Sequence, residues 1–502
     1  MLIKKRLLNN AAFSALQTVL SAALLFFLYR FLLKQLGAEQ LGIWAIVLAS
    51  TSVGRLTDMG LAGAIVKFVA NSNAEGQLEK SARLVQTAAL TISAALLTLA
   101  LLALPVLHLL LQWVLPPTAI SPALEILPYA VASLLFAMIS GIFQSGIDAC
   151  HRMDVKNIVL VSCNILYIVI TVILVPKFGL LGIAIAQTIQ SLTLVCSTWI
   201  ILRRFIPTLP LIPCRWYKTD FREMLGYATN FQIGMLAGMF FDPVTKFLLA
   251  KYGGLSQTAF YEMANQLLQK ARSVIVSAQQ ALVPEIAGGN FADKADLLAL
   301  YKKAYGFSFL LVLPYYIGII LSLPLISFLW IGHYESYFVV YGAIVSFGWL
   351  ATNLSAVPYF FNIGTGSLTW NTINHVFNGF INLALGSILG YHFSGVGVVL
   401  AASCALIIPN IMLIQIVNRR LGFGMMDIVP CGQRVYLLLV VLGAVISISG
   451  GEFFNRYASM DMVAALIVPT IFLAITLFAL QFNSMGKVVV SKIFKKNTNN
   501  DI

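Results

Sequence analysis

Charge is what this sequence has least of. Asp, Glu, Lys and Arg make up 10% of its 502 residues, 59% are hydrophobic, and the mean hydropathy is +0.89. An ordinary soluble domain carries roughly 25% charged residues. The shortage excludes a large water-soluble core and leaves a polytopic membrane protein. Acid is the scarcer sign, 19 residues against 32 basic ones, for a net charge of +13. The bases are scattered through short loops without interleaved aromatics, so they draw no nucleic-acid surface. Cysteine is sparse too. Of Cys150, Cys163, Cys196, Cys214, Cys404 and Cys431, none falls in an expected outer loop, and no CxxC occurs. Neither a disulfide framework nor a thiolate metal site is expected. The motifs of catalysis are missing as well. There is no GxxxxGK[ST] to grip a nucleotide, no HExxH and no GxSxG. NIGTGS at 362–367 has two glycines but follows an apolar run and lacks the Lys, so it reads as a turn. No enzyme, cofactor or metal is expected from this chain.

Long apolar runs are what the chain has instead. About fourteen approach the roughly 20 residues that cross a bilayer. They lie at 10–33, 41–66, 84–114, 124–147, 157–175, 181–202, 223–249, 258–282, 304–331, 338–363, 373–391, 397–417, 435–451 and 461–482. The first has a basic flank like a signal peptide, but its apolar part is too long for one, so it reads as a retained helix. All connections are short, and no soluble domain fits between them. If the N-terminus is inside, the inner segments hold about 23 Lys and Arg, among them Lys4, Arg152, Arg203, Arg419 and Lys496. The outer segments hold only Lys34, Lys177, Lys251 and Arg456. The asymmetry puts both termini in the cytoplasm.

The runs repeat. Shifted by 217 residues, Gly37 meets Gly254, Gln40 meets Gln257, Trp44 meets Tyr261 and Arg55 meets Arg272. Shifted by 215, FGLLGIAIA at 178–186 meets FSGVGVVLA at 393–401. One offset held over so long a stretch implies a six-helix unit used twice. Six is even, so both copies insert in the same direction. The expected organisation is an all-α protein of about fourteen spans, with two parallel six-helix lobes around a central cavity and two extra helices. The lobes are 1–210 and 211–420, the extra helices 421–485, and a basic tail 486–502. Pro105, Pro128, Pro243, Pro314, Pro358, Pro409 and Pro469 interrupt spans, and each removes a helix hydrogen bond.

Charge inside the spans is costly, roughly 3 kcal/mol for a central Arg on insertion scales, and marks interiors and pathways. The bases there are Arg30, Arg55, Lys246, Lys270 and Arg272; the acids are Asp58, Asp242 and Glu262. Thr51, Arg55 and Asp58 share one helical face at i, i+4, i+7. The balance is positive, which suits an anionic substrate. Arg adds a planar fork fitted to phosphate or carboxylate. We read Arg55, Arg272, Asp58, Arg30 and Lys270 as cavity charges for that substrate, and Asp242, Lys246 and Glu262 as gating or ion-coupling groups. The plainer alternatives stay open. Arg30 and Lys270 can snorkel to an interface, and Asp242–Lys246 and Arg55–Asp58 can be local structural pairs. Arg55 and Arg272 occupy equivalent repeat positions, so one Arg per lobe is expected to face the cavity.

These residues carry a resemblance. LGAEQLGIWAIVLASTSVGRLTDMGLAGAIVKFVA at 36–70 resembles the N-terminal signature of bacterial polysaccharide flippases, the Wzx-like group. FFDPVTKFLLAKYGGLSQTAFYEMANQL at 240–267 looks like that group's second signature, through Asp242, Gly253, Gly254 and Tyr261. The group shares a superfamily with multidrug and toxin exporters and lipid II flippases. The resemblance implies two six-helix lobes forming a V-shaped cavity. It further implies transport of undecaprenyl-pyrophosphate-linked sugars from the inner to the outer leaflet of the bacterial cytoplasmic membrane, for O-antigen, capsule or exopolysaccharide. The implied partners are the lipid-linked anionic glycan, membrane lipids, and polysaccharide polymerase with other assembly proteins. Many members have twelve spans; fourteen is nearer the lipid II flippases. A multidrug exporter is the rival reading, and an acidic cavity would favour it.

Overall fold

Backbone N–H and C=O groups in a bilayer have no water to bond, so they must be satisfied within helices or a closed barrel. This chain takes the first solution. The structure, a computed structural model, describes residues 2–52, 61–280, 286, 294–422, 434–458 and 461–480. Among these residues there are helices and turns and no strand. The first half holds α1 (Leu2–Ser52), α2 (Leu61–Ala74), α3 (Leu78–Val114), α4 (Pro117–Ala149), α5 (Met153–Phe178) and α6 (Leu180–Phe205). Then come α7 (Lys218–Met239), α8 (Phe241–Tyr252) and α9 (Leu255–Gln280). The second half holds α10 (Lys294–Trp330), α11 (Ser336–Leu354), α12 (Ala356–Gly364), α13 (Thr369–Arg420), α14 (Arg434–Ala458) and α15 (Asp461–Leu480). The chain divides into two compact units, Met1–Glu262 and Met263–Ile502.

The expected spans lie on these helices wherever the structure describes them. Two helices hold two spans each. α1 turns at Gly37 (φ 78°, ψ 170°), and α13 turns at Phe393 and Ser394. Two other spans are split. α7 gives way to α8 at Phe240, and α11 to α12 at Ser355. Pro243 and Pro358 are each the third residue after such a break, in the first turn, where a missing N–H has no helical partner to lose. Pro105, Pro128, Pro314, Pro409 and Pro469 instead sit inside helices that continue through them.

The repeat is written into the backbone. Left-handed residues recur at the offsets the sequence suggests: Gly37 (φ 78°) with Gly254 (φ 90°), and His151 (φ 58°) with Gly366 (φ 76°). Gly179 (φ 56°, ψ −131°) recurs as Ser394 (φ 53°, ψ −141°). Close approaches recur too. A Cβ on Gly182 would stand 2.8 Å from the carbonyl oxygen of Leu174, and a Cβ on Gly397 would strike that of Leu389. Both pairs are 215 residues apart. The sharp hairpin between the fifth and sixth helix of each copy is therefore the same device.

Packing in the first unit follows helical periodicity. Leu61, Ile65 and Val69 of α2 present one stripe to Leu84 and Ile92 of α3, Ile142 and Ile147 of α4 and Leu202 of α6. Much apolar surface faces outward. Leu101 is 72% exposed, Leu102 69% and Phe380 69%, which suits a hydrocarbon solvent and no aqueous one. The segment joining α6 to α7 is strapped onto α3. Thr208 donates to the Leu78 carbonyl at 2.9 Å, and Trp216 Nε1 donates to Thr91 at 3.0 Å. Arg83 grips both oxygens of Asp220 at 3.0 Å.

Candidate substrate-binding site

Two buried polar centres stand out, one in each unit. In the first, the break at Phe240 starts α8 afresh and sets Asp242 and Lys246 one helical turn apart. Glu262 comes from α9, across the Gly253–Gly254 turn. Lys246 Nζ lies 2.7 Å from Asp242 Oδ2 and 2.7 Å from Glu262 Oε2. The Lys246 and Glu262 side chains are 6% and 4% exposed, and that of Asp242 is 34% exposed. Tyr29 of α1 donates its hydroxyl to Glu262. The structure thus brings together the three residues expected to gate or couple ions, and it adds a tyrosine that charge-based reading overlooks. The repeat points to it, since Tyr29 is 217 residues before Lys246. A buried ammonium held between two carboxylates has good geometry; removing any one partner strands a charge.

The second centre is built on Arg272 of α9. Its guanidinium stacks over the Trp349 ring of α11 at 5.1 Å. Tyr316 of α10, Tyr359 of α12 and His375 of α13 stand beside it. Each of these groups is held in turn. Asn353 Nδ2 donates to the Tyr316 hydroxyl at 2.9 Å, and Trp349 Nε1 donates to Asn265 at 3.2 Å. Tyr359 and His375 share a hydrogen bond of 3.3 Å. Among the described residues Arg272 has no carboxylate partner, and its buried Nε–H makes no hydrogen bond. Arg stays charged wherever it is placed. A guanidinium oriented by aromatic rings and unneutralised by acid is arranged to receive an anion.

The other expected cavity charges fall elsewhere. Lys270 is half-buried but lies about 200° around α9 from Arg272, on a different face. Arg30 is exposed on α1, next to Tyr29. Arg55 and Asp58 lie outside the described residues. The ring and amide shell of Arg272 is the part that sequence reasoning missed. From Ser336 to Asn418 the chain contains no Asp, Glu, Lys or Arg. A search for ionisable groups therefore passes over the helices that complete the site.

Helix order and the paired repeats define a multi-pass, all-helical membrane protein built on a duplicated two-lobe fold, with a buried arginine that has no acid partner among the described residues. Solved structures share this fold. The chain is similar to the lipid II flippase MurJ in an inward closed conformation, at 16% identity and TM-score 0.73, covering 94% of this chain and 99% of that one. It is also similar to an inward-facing multidrug resistance MATE transporter, at 14% identity and TM-score 0.63, covering 81% and 94%. A third likeness is to the Vibrio cholerae MATE transporter VcmN, at 16% identity and TM-score 0.58, covering 83% and 97%. No curated protein sequence matches significantly. Residues 7–289 match the family described as polysaccharide biosynthesis protein, and the chain belongs to that family.

Proposed function

We propose that the chain is a flippase for a lipid-linked oligosaccharide with an anionic pyrophosphate head. It carries the repeat unit of a surface polysaccharide, such as O-antigen or capsule, from the inner to the outer leaflet of the bacterial cytoplasmic membrane. The observation that carries this reading is Arg272, a permanent cation with aromatic neighbours and, among the described residues, no acid to neutralise it. Membership of a polysaccharide biosynthesis family supports a glycan cargo. The Lys and Arg asymmetry of the loops supports cytoplasmic termini. The protein makes and breaks no covalent bond in this reading. A potential negative inside favours export of an anion by about 2.3 kcal/mol per charge per 100 mV. The glycan polymerase that takes the delivered unit is the natural partner.

Export of cationic drugs fits less well, because the acids Asp242 and Glu262 are already occupied by Lys246. A peptidoglycan-precursor flippase is the nearer rival, since the MurJ likeness covers more of this chain than the multidrug ones do. Deleting the gene and weighing the accumulated lipid-linked glycans by mass spectrometry separates the two. The expected result is a surface-glycan repeat unit held on the cytoplasmic side. Accumulation of the peptidoglycan precursor, or of nothing, overturns the proposal.

A further inference from the structure

The Arg272 site runs on into a stripe of asparagines. Asn371, Asn374, Asn378 and Asn382 stand at i, i+3, i+7 and i+11 on the first leg of α13, so they share one face over about 16 Å of rise. They are 4%, 5%, 8% and 0% exposed. The bonding along this stripe is uneven. Asn371 is satisfied at both ends, donating to the Tyr359 carbonyl at 3.0 Å and accepting from Asn362 at 2.9 Å. Asn374 donates to Asn410 at 3.2 Å, but its own amide oxygen is buried without a partner. The amide oxygen of Asn378 is likewise buried without a partner.

Two more unbonded oxygens join them, Asn353 Oδ1 and Gln279 Oε1. The stripe reaches them through Asn410, which accepts from Asn374 and donates to Thr352, the residue before Asn353, at 3.2 Å. Gln279 donates to Ser308 at 2.7 Å and to the Asn353 carbonyl at 2.9 Å, and Asn353 donates to Tyr316 beside Arg272. Asparagines that served only to bind helices together would finish with their bonds made, as Asn371 does. Here the bonds run out on helices that also carry Trp349 and His375, neighbours of the Arg272 guanidinium. Turning an amide over exchanges an unbonded oxygen for an unbonded NH2, so the vacancy survives either assignment.

The chemistry of the missing partner follows. It is rich in hydroxyl or amide groups, whose hydrogens satisfy oxygens and whose oxygens satisfy NH2 groups. It carries no charge in this stretch, because α11, α12 and α13 supply no charged side chain from Ser336 to Asn418. It lies beside an anion, the group Arg272 awaits. We infer that Asn374 and Asn378, with Asn353 and Gln279, form a subsite for an uncharged sugar next to the phosphate. This rests on the reading of Arg272 as the anion contact. The oxygens are closed off in this structure, so a sugar reaches them only when the first leg of α13 moves relative to α11.

The test uses the full-length protein in nanodiscs and native mass spectrometry. The probes are undecaprenyl pyrophosphate and the same lipid bearing one N-acetylhexosamine. The unaltered protein is expected to bind the sugar-bearing lipid about tenfold more tightly, the scale of one or two net hydrogen bonds. Asn378→Leu and Asn378→Ala are expected to erase that difference while leaving the affinity for the bare lipid unchanged. If both variants keep the tenfold difference, the stripe is interhelical packing and the subsite is wrong. If the unaltered protein binds the bare lipid but gains nothing from the sugar, the subsite is again wrong and the Arg272 reading stands. If it binds neither lipid, the Arg272 reading falls and takes the subsite with it.

Discussion

Lys246 and Arg272 are both cations inside a membrane unit, yet their surroundings assign them opposite work. Lys246 is neutralised on two sides, by Asp242 and Glu262, with Tyr29 bonded to the second acid. Its charge is spent within the protein. Replacing it alone with Met leaves the buried Glu262 and the partly exposed Asp242 without a counter-ion, and the expected cost is about 2–4 kcal/mol, the exposure of Asp242 lowering its share. The matched triple change, Lys246→Met with Asp242→Asn and Glu262→Gln, removes every charge and is expected to recover most of that loss. Thermal unfolding of the purified protein in detergent measures both. A single variant as stable as the triple would show that the cluster is not a closed electrostatic unit. Among the described residues Arg272 has no such partner, which is why it is the proposed contact for an anion. Arg and Lys are not equivalent at such a position, because the forked, ring-stacked geometry belongs to the guanidinium.

Among the elements, the two hairpins at Gly179 and Ser394 invite direct comparison. They adopt the same backbone conformation, but one uses glycine and the other serine. At φ 53° and ψ −141° a residue with a Cβ is strained, at a cost on the order of 1–3 kcal/mol. Ser394→Gly is therefore expected to stabilise the protein by about 1 kcal/mol once the extra freedom of glycine in the unfolded chain is discounted. The opposite outcome is expected three residues on. Gly397→Ala pushes a methyl into the Leu389 carbonyl and should lower the unfolding temperature. If Ser394→Gly destabilises or Gly397→Ala is neutral, the hairpin is not the rigid corner described. These elements also mark what was legible in the sequence. The spans were, because twenty apolar residues in a row have few other fates. The repeat was, because Gly37 and Gly254 are required by the turn and cannot drift. The partnership of Lys246 with Glu262 was not, since it crosses between helices and no spacing along one helix encodes it. The asparagine stripe was present at helical spacing, but it is uncharged and was hidden from a reading that followed charge.

At the scale of the whole molecule, the chain divides into two compact units, and the buried polar centres described in them differ in kind. The centre of the first unit closes its described charges on themselves. The second keeps a cation, unbonded amides and aromatic rings together, beside a stretch from Ser336 to Asn418 that bears no Asp, Glu, Lys or Arg. The proposed function rests on that difference: Arg272 of the second unit is the proposed contact for the anionic head of a lipid-linked glycan. The most direct measurement is translocation of an undecaprenyl-pyrophosphate-linked oligosaccharide in reconstituted vesicles, read by the access of an external glycan-cleaving enzyme. Vesicles holding the unaltered protein are expected to expose the inner-leaflet glycan, with no ATP supplied. Arg272→Lys, present at equal abundance, is expected to slow this at least about tenfold, the scale of one lost charge-assisted hydrogen bond. Equal rates for Arg272→Lys and the unaltered protein, or no exposure beyond that of protein-free vesicles, would contradict the account.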